Sequence, residues 1–248
     1  MTTIPLPELS LIIPAFNEQE LIRSTLETLV QFLTPRHPQF EILVVDDGSL
    51  DETVHVVRQY ALSQPRVRIL DQPANQGKGR AIQRGVMESR GKYILFTDAD
   101  LPYELEAVDA ILAALRSGTD LAIGSRHLDE SEIQDVPPLR YFAGQVFSIL
   151  VGLLMFPALT PRPDTQCGFK GFRSDAARQI FKRLTIREFG FDVESIYIAR
   201  KLKYSILPVP VHMIGFRYDS RVRVLRDSGR MFMDLFAIRL NDLRGKYD

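Results

Sequence analysis

The chain has 248 residues, with Lys+Arg 31 balanced by Asp+Glu 31, 45% hydrophobic and 25% charged residues. These values fit a folded chain with a substantial core and exclude a disordered or collagen-like polymer. The zero net charge excludes a strongly basic nucleic-acid coat, so no nucleic-acid partner is expected.

Residues 9–14 (LSLIIP) read as a strand and 18–33 as a helix, with Leu21, Ile22, Leu26, Leu29 and Val30 near helical spacing. Residues 41–46 (EILVVD) form a second strand, and Asp51 then caps a helix carrying Val54, Val57 and Tyr60. A strand at 67–70, a helix at 78–90, a strand at 92–97 (KYILFT), a helix at 104–116 and a strand at 120–124 (DLAIG) follow. This alternation predicts an α/β fold, a mostly parallel sheet with helices on both faces. Ligands of such sheets bind outside the carboxyl ends of the strands.

The second half is less regular. Residues 141–161 carry no charge, and 142–156 are strongly apolar. A helix over 141–156 spans roughly 24 Å at about 1.5 Å per residue, short of a hydrocarbon core of about 30 Å. It is either a core helix or one lying in a membrane interface. A strand at 168–173, helices at 175–184 and 192–203 and a last strand at 205–211 follow. Residues 223–240 form an amphipathic helix, with Leu225, Phe232, Leu235, Phe236 and Leu240 on one side and Arg223, Arg226, Asp227, Arg230 and Asp234 on the other.

Residues 1–124 carry 11 Lys+Arg against 17 Asp+Glu, and residues 125–248 carry 20 against 14. Either the second half meets an anion or the split is solvated surface charge. Without internal repeats or a flexible linker, one domain is expected, in three parts: 1–125, 126–220 and a C-terminal helical extension, 221–248. Cys167 is the one cysteine, so no intramolecular disulfide forms. The N-terminal MTTIPLP has neither the basic nor the long apolar region of a secretory signal, and the cytosolic side of a membrane is the expected location.

Three strands deliver polar clusters to one sheet edge. Pro14-Ala15-Phe16-Asn17-Glu18 follows the first, Asp46-Asp47-Gly48-Ser49 the second and Asp98-Ala99-Asp100 the fourth. Paired carboxylates one residue apart suit a hard divalent cation completed by phosphate oxygens and water; a turn bearing two solvated acids has the same sequence. Asp46 and Asp47 suit hydrogen bonds from a base or ribose, or capping around 49–51. Asn75-Gln76-Gly77-Lys78-Gly79 suits close backbone approach to a phosphate with Lys78 as a point charge, although neither GxxxxGK[ST] nor GxGxxG is present. His37, His55, His127 and His212 lack metal-ligand spacing.

In this order PAFNE, VVDDGSLDET, NQGKGRA, FTDADL, GSRH and DTQCGFKGF resemble the family 2 glycosyltransferases of the GT-A fold. Within them the chain is similar to the enzymes that load a sugar onto a polyprenyl phosphate, the dolichyl-phosphate glucosyltransferases and mannose synthases. Residues 164–172, Phe191-Asp192-Val193-Glu194 and 219–226 are most similar to the glucosyltransferase type. The resemblance implies a Rossmann-like GT-A sheet with Pro14, Phe16 and Glu18 lining a nucleotide pocket. Asp47 would read the base, and Lys78 would approach the nucleotide-sugar donor. Asp98 and Asp100 would serve ribose and Mg²⁺ or Mn²⁺, with Asp100 favoured as direct ligand. Asp164 would face the transferred sugar or the acceptor, and Arg126 and Arg140 would hold the acceptor phosphate. Pro102 stands where mannose synthases often carry a further ligand, Gln.

The implied activity is inverting transfer of a hexose, glucose from UDP-glucose, to a polyprenyl or dolichyl phosphate by a peripheral protein at the cytosolic membrane face. Alternatives are a GDP-mannose-using synthase, a transferase with a saccharide hydroxyl acceptor and Asp164 or Glu194 as base, and a non-enzymatic nucleotide-sugar-binding scaffold.

Overall fold

The computed structural model describes residues 6–133, 138–156, 164–214 and 224–248, without the side chains of 132–133, 138–143, 145–147 and 224–228. Among these, the apolar runs form the expected strands: β1 (Leu9–Ala15), β2 (Phe40–Asp46), β3 (Val67–Asp71), β4 (Tyr93–Phe96) and β5 (Leu121–Ser125). Between them lie α1 (Ile22–Arg36), α2 (Thr53–Ser63), α3 (Lys78–Glu88) and α4 (Glu106–Arg116). The N-cap of α2 is Glu52, one residue later than expected; Asp51 stands just before it, its Oδ1 accepting from the Thr53 amide at 3.0 Å. The second half adds β6 (Glu132–Ile133), α5 (Pro138–Met155), β7 (Lys170–Arg173), α6 (Ser174–Lys182), α7 (Phe191–Lys201), β8 (Ile206–Pro210), β9 (His212–Met213) and α8 (Val224–Leu243). The small parallel pair β6–β9 was not expected; two-residue strands carry no readable alternation.

The main sheet has the order β3-β2-β1-β4-β7-β5-β8. All its pairings are parallel except those of β7, which runs antiparallel between β4 and β5. Strand residues alternate between two cores, as a period of two requires. Leu11, Ile13, Ile42 and Val44 meet α1, α2 and α4 on one face. Ile12, Leu43, Val45, Ile94 and Phe96 meet α3, α5, α6, α7 and α8 on the other.

The antiparallel β7 matters for the site. Phe96 pairs with Lys170, so the chain entering β7 passes the point where β4 delivers Asp98. Residues 164–169 thereby join the rim formed by the carboxyl ends of β1, β2, β4 and β5.

The apolar segment before residue 157 resolves into two faces. Val151, Met155 and Phe156 are buried, whereas Ile149, Leu150, Leu153 and Leu154 are exposed. Over its described side chains, 148–156, it packs on the core along one edge only. Among the described residues no helix is long and apolar enough to cross a membrane.

Candidate active site

The sheet rim gathers the first four motifs. Backbone and side-chain bonds lock the β1 and β2 loops together: Asn17 N donates to Ser49 Oγ at 2.7 Å, Glu18 N to Thr53 Oγ1 at 2.7 Å and Leu50 N to Asn17 Oδ1 at 2.7 Å. Asn17 has φ 53° and Leu101, just after the carboxylate pair, φ 45°. The left-handed region is unfavourable for leucine and is tolerated where surrounding contacts fix it, commonly at functional sites.

Asp46 and Asp47 are both buried but differ in commitment. Asp46 Oδ2 accepts from the amides of Gly48 and Ser49 at 3.0 and 2.9 Å, and its Oδ1 is buried without a partner. Asp47 Oδ1 accepts from Gln72 Nε2 at 2.8 Å and Gln76 N at 2.7 Å, and Oδ2 from Gly77 N at 2.9 Å. Burial pushes the Asp47 carboxyl up; the amides of Gln76 and Gly77 oppose it, and Glu188 and Asp46 reinforce it. Asp47 therefore holds the 72–77 loop, and of the two acids it is Asp46 that keeps an oxygen in reserve. Gly48 has φ +76°, and a Cβ there would meet the Ala74 carbonyl carbon at 2.4 Å, so only glycine lets these two loops touch.

Lys78 begins α3 and points across the rim, its Nζ 2.5 Å from Asp98 Oδ1. Burial alone would lower this ammonium, but Asp98, Asp192 and Asp100 outweigh it and hold the pKa above the ordinary value. Asp98 is wedged from behind by Gly168: a Cβ on that glycine would lie 2.5 Å from Asp98 Oδ2. Asp100 reaches the exposed side of the rim. Its carboxyl is raised by desolvation in the cleft and by the Asp98 charge, with Glu18 adding and Lys78 opposing. Ala99 is buried, and its carbonyl accepts from Thr25 Oγ1 at 2.6 Å, which fixes the turn between the two acids.

The second group lies at the end of β5. Arg126 and Asp164 form a bidentate pair, Nε to Oδ2 at 2.8 Å and Nη2 to Oδ1 at 2.9 Å. The amides of Arg126 and Gln166 also donate to Asp164, at 3.1 and 3.3 Å. Asp164 is 1% exposed and Arg126 25% exposed. Burial would raise the carboxyl, but the adjacent guanidinium draws it down to about 2. The expectation that Asp164 faces a sugar or acceptor meets a different arrangement: its oxygens are engaged by four N–H donors, and it is Arg126 that reaches the opening. Arg140 lies in α5, and its side chain is outside the described residues, as are residues 219–223 of the late segment.

Glu194, the other carboxylate considered as a base, is fully buried. It accepts from the amides of Thr185 and Ile186 at 3.0 and 2.8 Å, and from the Thr185 and Tyr247 hydroxyls at 2.5 and 2.6 Å. It ties α7 to the chain before it and to the C-terminal turn.

Two residues outside the expected set complete the rim. Lys170 is 0% exposed; its Nζ donates to the carbonyls of Thr165 at 3.2 Å and Cys167 at 2.5 Å, and to Asp192 Oδ1. All three ammonium protons are thus satisfied. Burial raises Asp192, and Lys170 and Lys78 pull it back. The signal was present in GFKGF, since a lysine inside an apolar strand requires a buried partner.

Among the described residues no group of three or more His, Cys, Asp and Glu side chains is placed to hold a metal ion. Asp98 and Asp100 supply two carboxylates at an open edge. That donor set fits a hard divalent cation whose remaining ligands are phosphate oxygens and water.

The model of the family described as glycosyl transferase family 2 matches residues 10–181. A dolichyl-phosphate β-glucosyltransferase of Dictyostelium discoideum is 37% identical over 96% of this chain and 75% of its own length. One from Trichomonas vaginalis is 36% identical over 92% and 70%, and the human one 32% identical over 98% and 78%. Among solved structures, glucosyl-3-phosphoglycerate synthase from Mycobacterium tuberculosis, in complex with Mn²⁺, uridine diphosphate and phosphoglyceric acid, superposes with TM-score 0.70. It does so at 17% identity, covering 95% of this chain and 78% of that one, a likeness of fold.

Proposed function

The chain belongs to glycosyl transferase family 2, with the GT-A fold, and is a glycosyltransferase; from that premise we propose that it transfers glucose from UDP-glucose, with inversion, to a polyprenyl phosphate of the dolichyl type. The observation that carries this reading is that Lys78 pairs with Asp98 beside Asp100, while the segment 164–168 sets Gly168 against Asp98 at one end and holds Arg126 through Asp164 at the other. We assign residues 1–125 to the donor and 126–220 to the acceptor. The relatives named as dolichyl-phosphate β-glucosyltransferases favour glucose over mannose.

The nucleotide would lie across Pro14–Glu18 and the β2 loop, where the spare Asp46 Oδ1 suits an N–H or hydroxyl of the nucleoside. Its diphosphate would face Lys78, whose charge Asp98 and Asp192 maintain. Asp98 and Asp100 would hold Mg²⁺ or Mn²⁺, which supplies charge stabilisation at the departing diphosphate. A polyprenyl phosphate has a second pKa near about 6, so it is largely dianionic at neutral pH and no carboxylate base is required. Asp164 and Glu194 are both committed to N–H and O–H donors, which favours this acceptor over a saccharide hydroxyl. Asp164 holds the guanidinium of Arg126 in one plane. Arg126, and Arg140 by its resemblance, would orient the phosphate for in-line attack.

The acceptor's lipid requires a membrane contact, which we place on the outer edges of α5 and α8. There Leu153, Leu154, Phe232, Met233, Phe236 and Leu240 are exposed. The orientation is peripheral, on the cytosolic face.

The test is a radiolabelled donor panel with dispersed polyprenyl phosphate and Mg²⁺, followed by extraction of the lipid phase. Label from UDP-glucose is expected in the lipid, as a β-glucosyl phosphate. Transfer to a water-soluble saccharide without polyprenyl phosphate, or preference for GDP-mannose, overturns it.

A further inference from the structure

Residues 184–190, between α6 and α7, touch no substrate in the reading above, yet they carry the loop that holds the donor. Arg80 N donates to the Arg187 carbonyl at 3.1 Å. A Cβ on Gly77 would lie 2.5 Å from that same oxygen, and one on Gly79 would lie 2.9 Å from it and 2.7 Å from Phe191 Cβ. The Lys78 ammonium stands 6.0 Å from the centroid of the Phe189 ring. Residues 77–80 thus rest on 187–191, with Gly77, Gly79 and Arg80 against the Arg187 carbonyl and the Lys78 ammonium over the Phe189 ring.

The opposite side of that strap rests on α8. Arg230 Nη1 donates to Glu188 Oε1 at 3.3 Å. A Cβ on Gly190 would lie 2.5 Å from Asp234 Oδ2 and 2.8 Å from Asp234 Cβ, so helix and strap are in contact with no space between them. Asp234 Oδ2 is buried there without a hydrogen-bond partner, a cost that close packing imposes. Further along, α8 and the turn after it are pinned to α7 and its approach. Asn241 Nδ2 donates to Thr185 Oγ1 at 2.9 Å, the Tyr197 hydroxyl to Asp242 at 2.5 Å and the Tyr247 hydroxyl to Glu194 at 2.6 Å. The helix is anchored at its far end and bears on the strap at Asp234 and Arg230.

We propose that α8 is the buttress of the donor loop: by pressing on Gly190 and Glu188 it holds 187–191 against residues 77–80, which makes Gly190, Asp234 and Arg230 positioning residues for the donor diphosphate. The inference rests on reading the Lys78 loop as the donor's phosphate site. It assigns α8 a second task on the edge facing away from Phe232 and Phe236, the edge we give to the membrane.

The test measures UDP binding with Mn²⁺ by calorimetry, alongside donor KM, acceptor KM and thermal stability. Gly190 has φ −63° and ψ −14°, so alanine suits its backbone and Gly190→Ala feels only the collision with Asp234. A displacement of this size is expected to weaken UDP about tenfold and to raise donor KM in step, with acceptor KM unmoved. Asp234→Gly in the Gly190→Ala background removes the colliding side chain and should restore UDP binding. Arg230→Ala breaks a surface pair and leaves the core intact; about two- to threefold weaker UDP binding is expected, recovered by the exchange of Arg230→Glu with Glu188→Arg. Wild-type UDP affinity in both Gly190→Ala and Arg230→Ala overturns the proposal. So does weakened binding that Asp234→Gly fails to restore while acceptor KM rises in parallel. Full UDP binding by Lys78→Ala removes instead the reading of the donor loop on which the proposal stands.

Discussion

Removing Arg126 while leaving Asp164 in place tests the acceptor side of the site most directly. Asp164 is 1% exposed and receives two side-chain bonds from Arg126, at 2.8 and 2.9 Å. In Arg126→Ala the carboxylate keeps two backbone amides and His127 at 3.9 Å, but no close countercharge. Stranding a buried charge in this way costs about 3–5 kcal/mol. Asp164→Asn keeps the shape and one acceptor, and the Arg126 head, 25% exposed, retains access to water; its cost should be about 1–2 kcal/mol. In Arg126→Ala/Asp164→Asn no charge is stranded, so the double variant should be more stable than Arg126→Ala alone. Urea unfolding with unchanged slope is the assay, repeated from pH 7.5 downward. In the wild type the carboxyl is lowered from 3.8 to about 2. The pair's stabilisation, about 2 kcal/mol, is present above 3.8 and lost as pH falls through about 2. In Arg126→Ala burial instead raises the carboxyl, so its deficit should shrink on acidification. Additive single and double variants, or Arg126→Ala within about 0.5 kcal/mol of wild type, would refute the reasoning. Arg126→Lys, a point charge without the planar fork, should keep part of the stability and lose acceptor kcat/KM.

Further outcomes follow from the same geometry. Gly168→Ala drives a Cβ into Asp98 Oδ2 at 2.5 Å; turnover and metal-dependent UDP affinity should fall at least about tenfold, checked by calorimetry beside a melting curve. Lys170→Met leaves Asp192 buried without its partner and should destabilise by about 3–5 kcal/mol, whereas Lys170→Met/Asp192→Asn should recover most of that loss in the same denaturation assay. Asp234 is pushed up to about 6 by burial, Glu194 and Glu188 adding and Arg230 opposing. A raised carboxyl stabilises below its unfolded value and gives that stability up as pH rises through about 6. Asp234→Asn should therefore be more stable than wild type at pH 7.5, by about 3 kcal/mol in the same denaturation assay, with the gain gone near pH 4. Chelation of divalent ions should abolish transfer, and Asp100→Asn should do so with Mg²⁺ or Mn²⁺ in excess; turnover that persists in both refutes the assignment of Asp100.

How much of this was legible beforehand varies with the range of the contacts involved. The strands 9–14 and 41–46 and the helices after them are written locally, because alternation and helical spacing report which side of a segment leaves water. The same local rule put PAFNE, DDGS and FTDAD after strand ends, and therefore on one rim. The division of labour within each motif was not local. Asp46 and Asp47 are adjacent and chemically alike, yet Asp47 is spent on amides 29 and 30 residues away while Asp46 keeps an oxygen unpaired.

Sequence alone therefore determined the α/β alternation, the carboxylate pair after β4 and the amphipathic character of the last helix. Only the tertiary structure decided that β7 enters antiparallel beside β4, a register that sets Gly168 behind Asp98 and buries Lys170 against Asp192. It also decided that Asp164 and Arg126 form a bidentate pair, and that α8 meets residues 188–190, which lie against the loop at 77–80. Periodicity encodes how deeply a segment is buried; the direction of its neighbour and the partner of a buried charge are settled by contacts between residues tens of positions apart, which no local pattern contains.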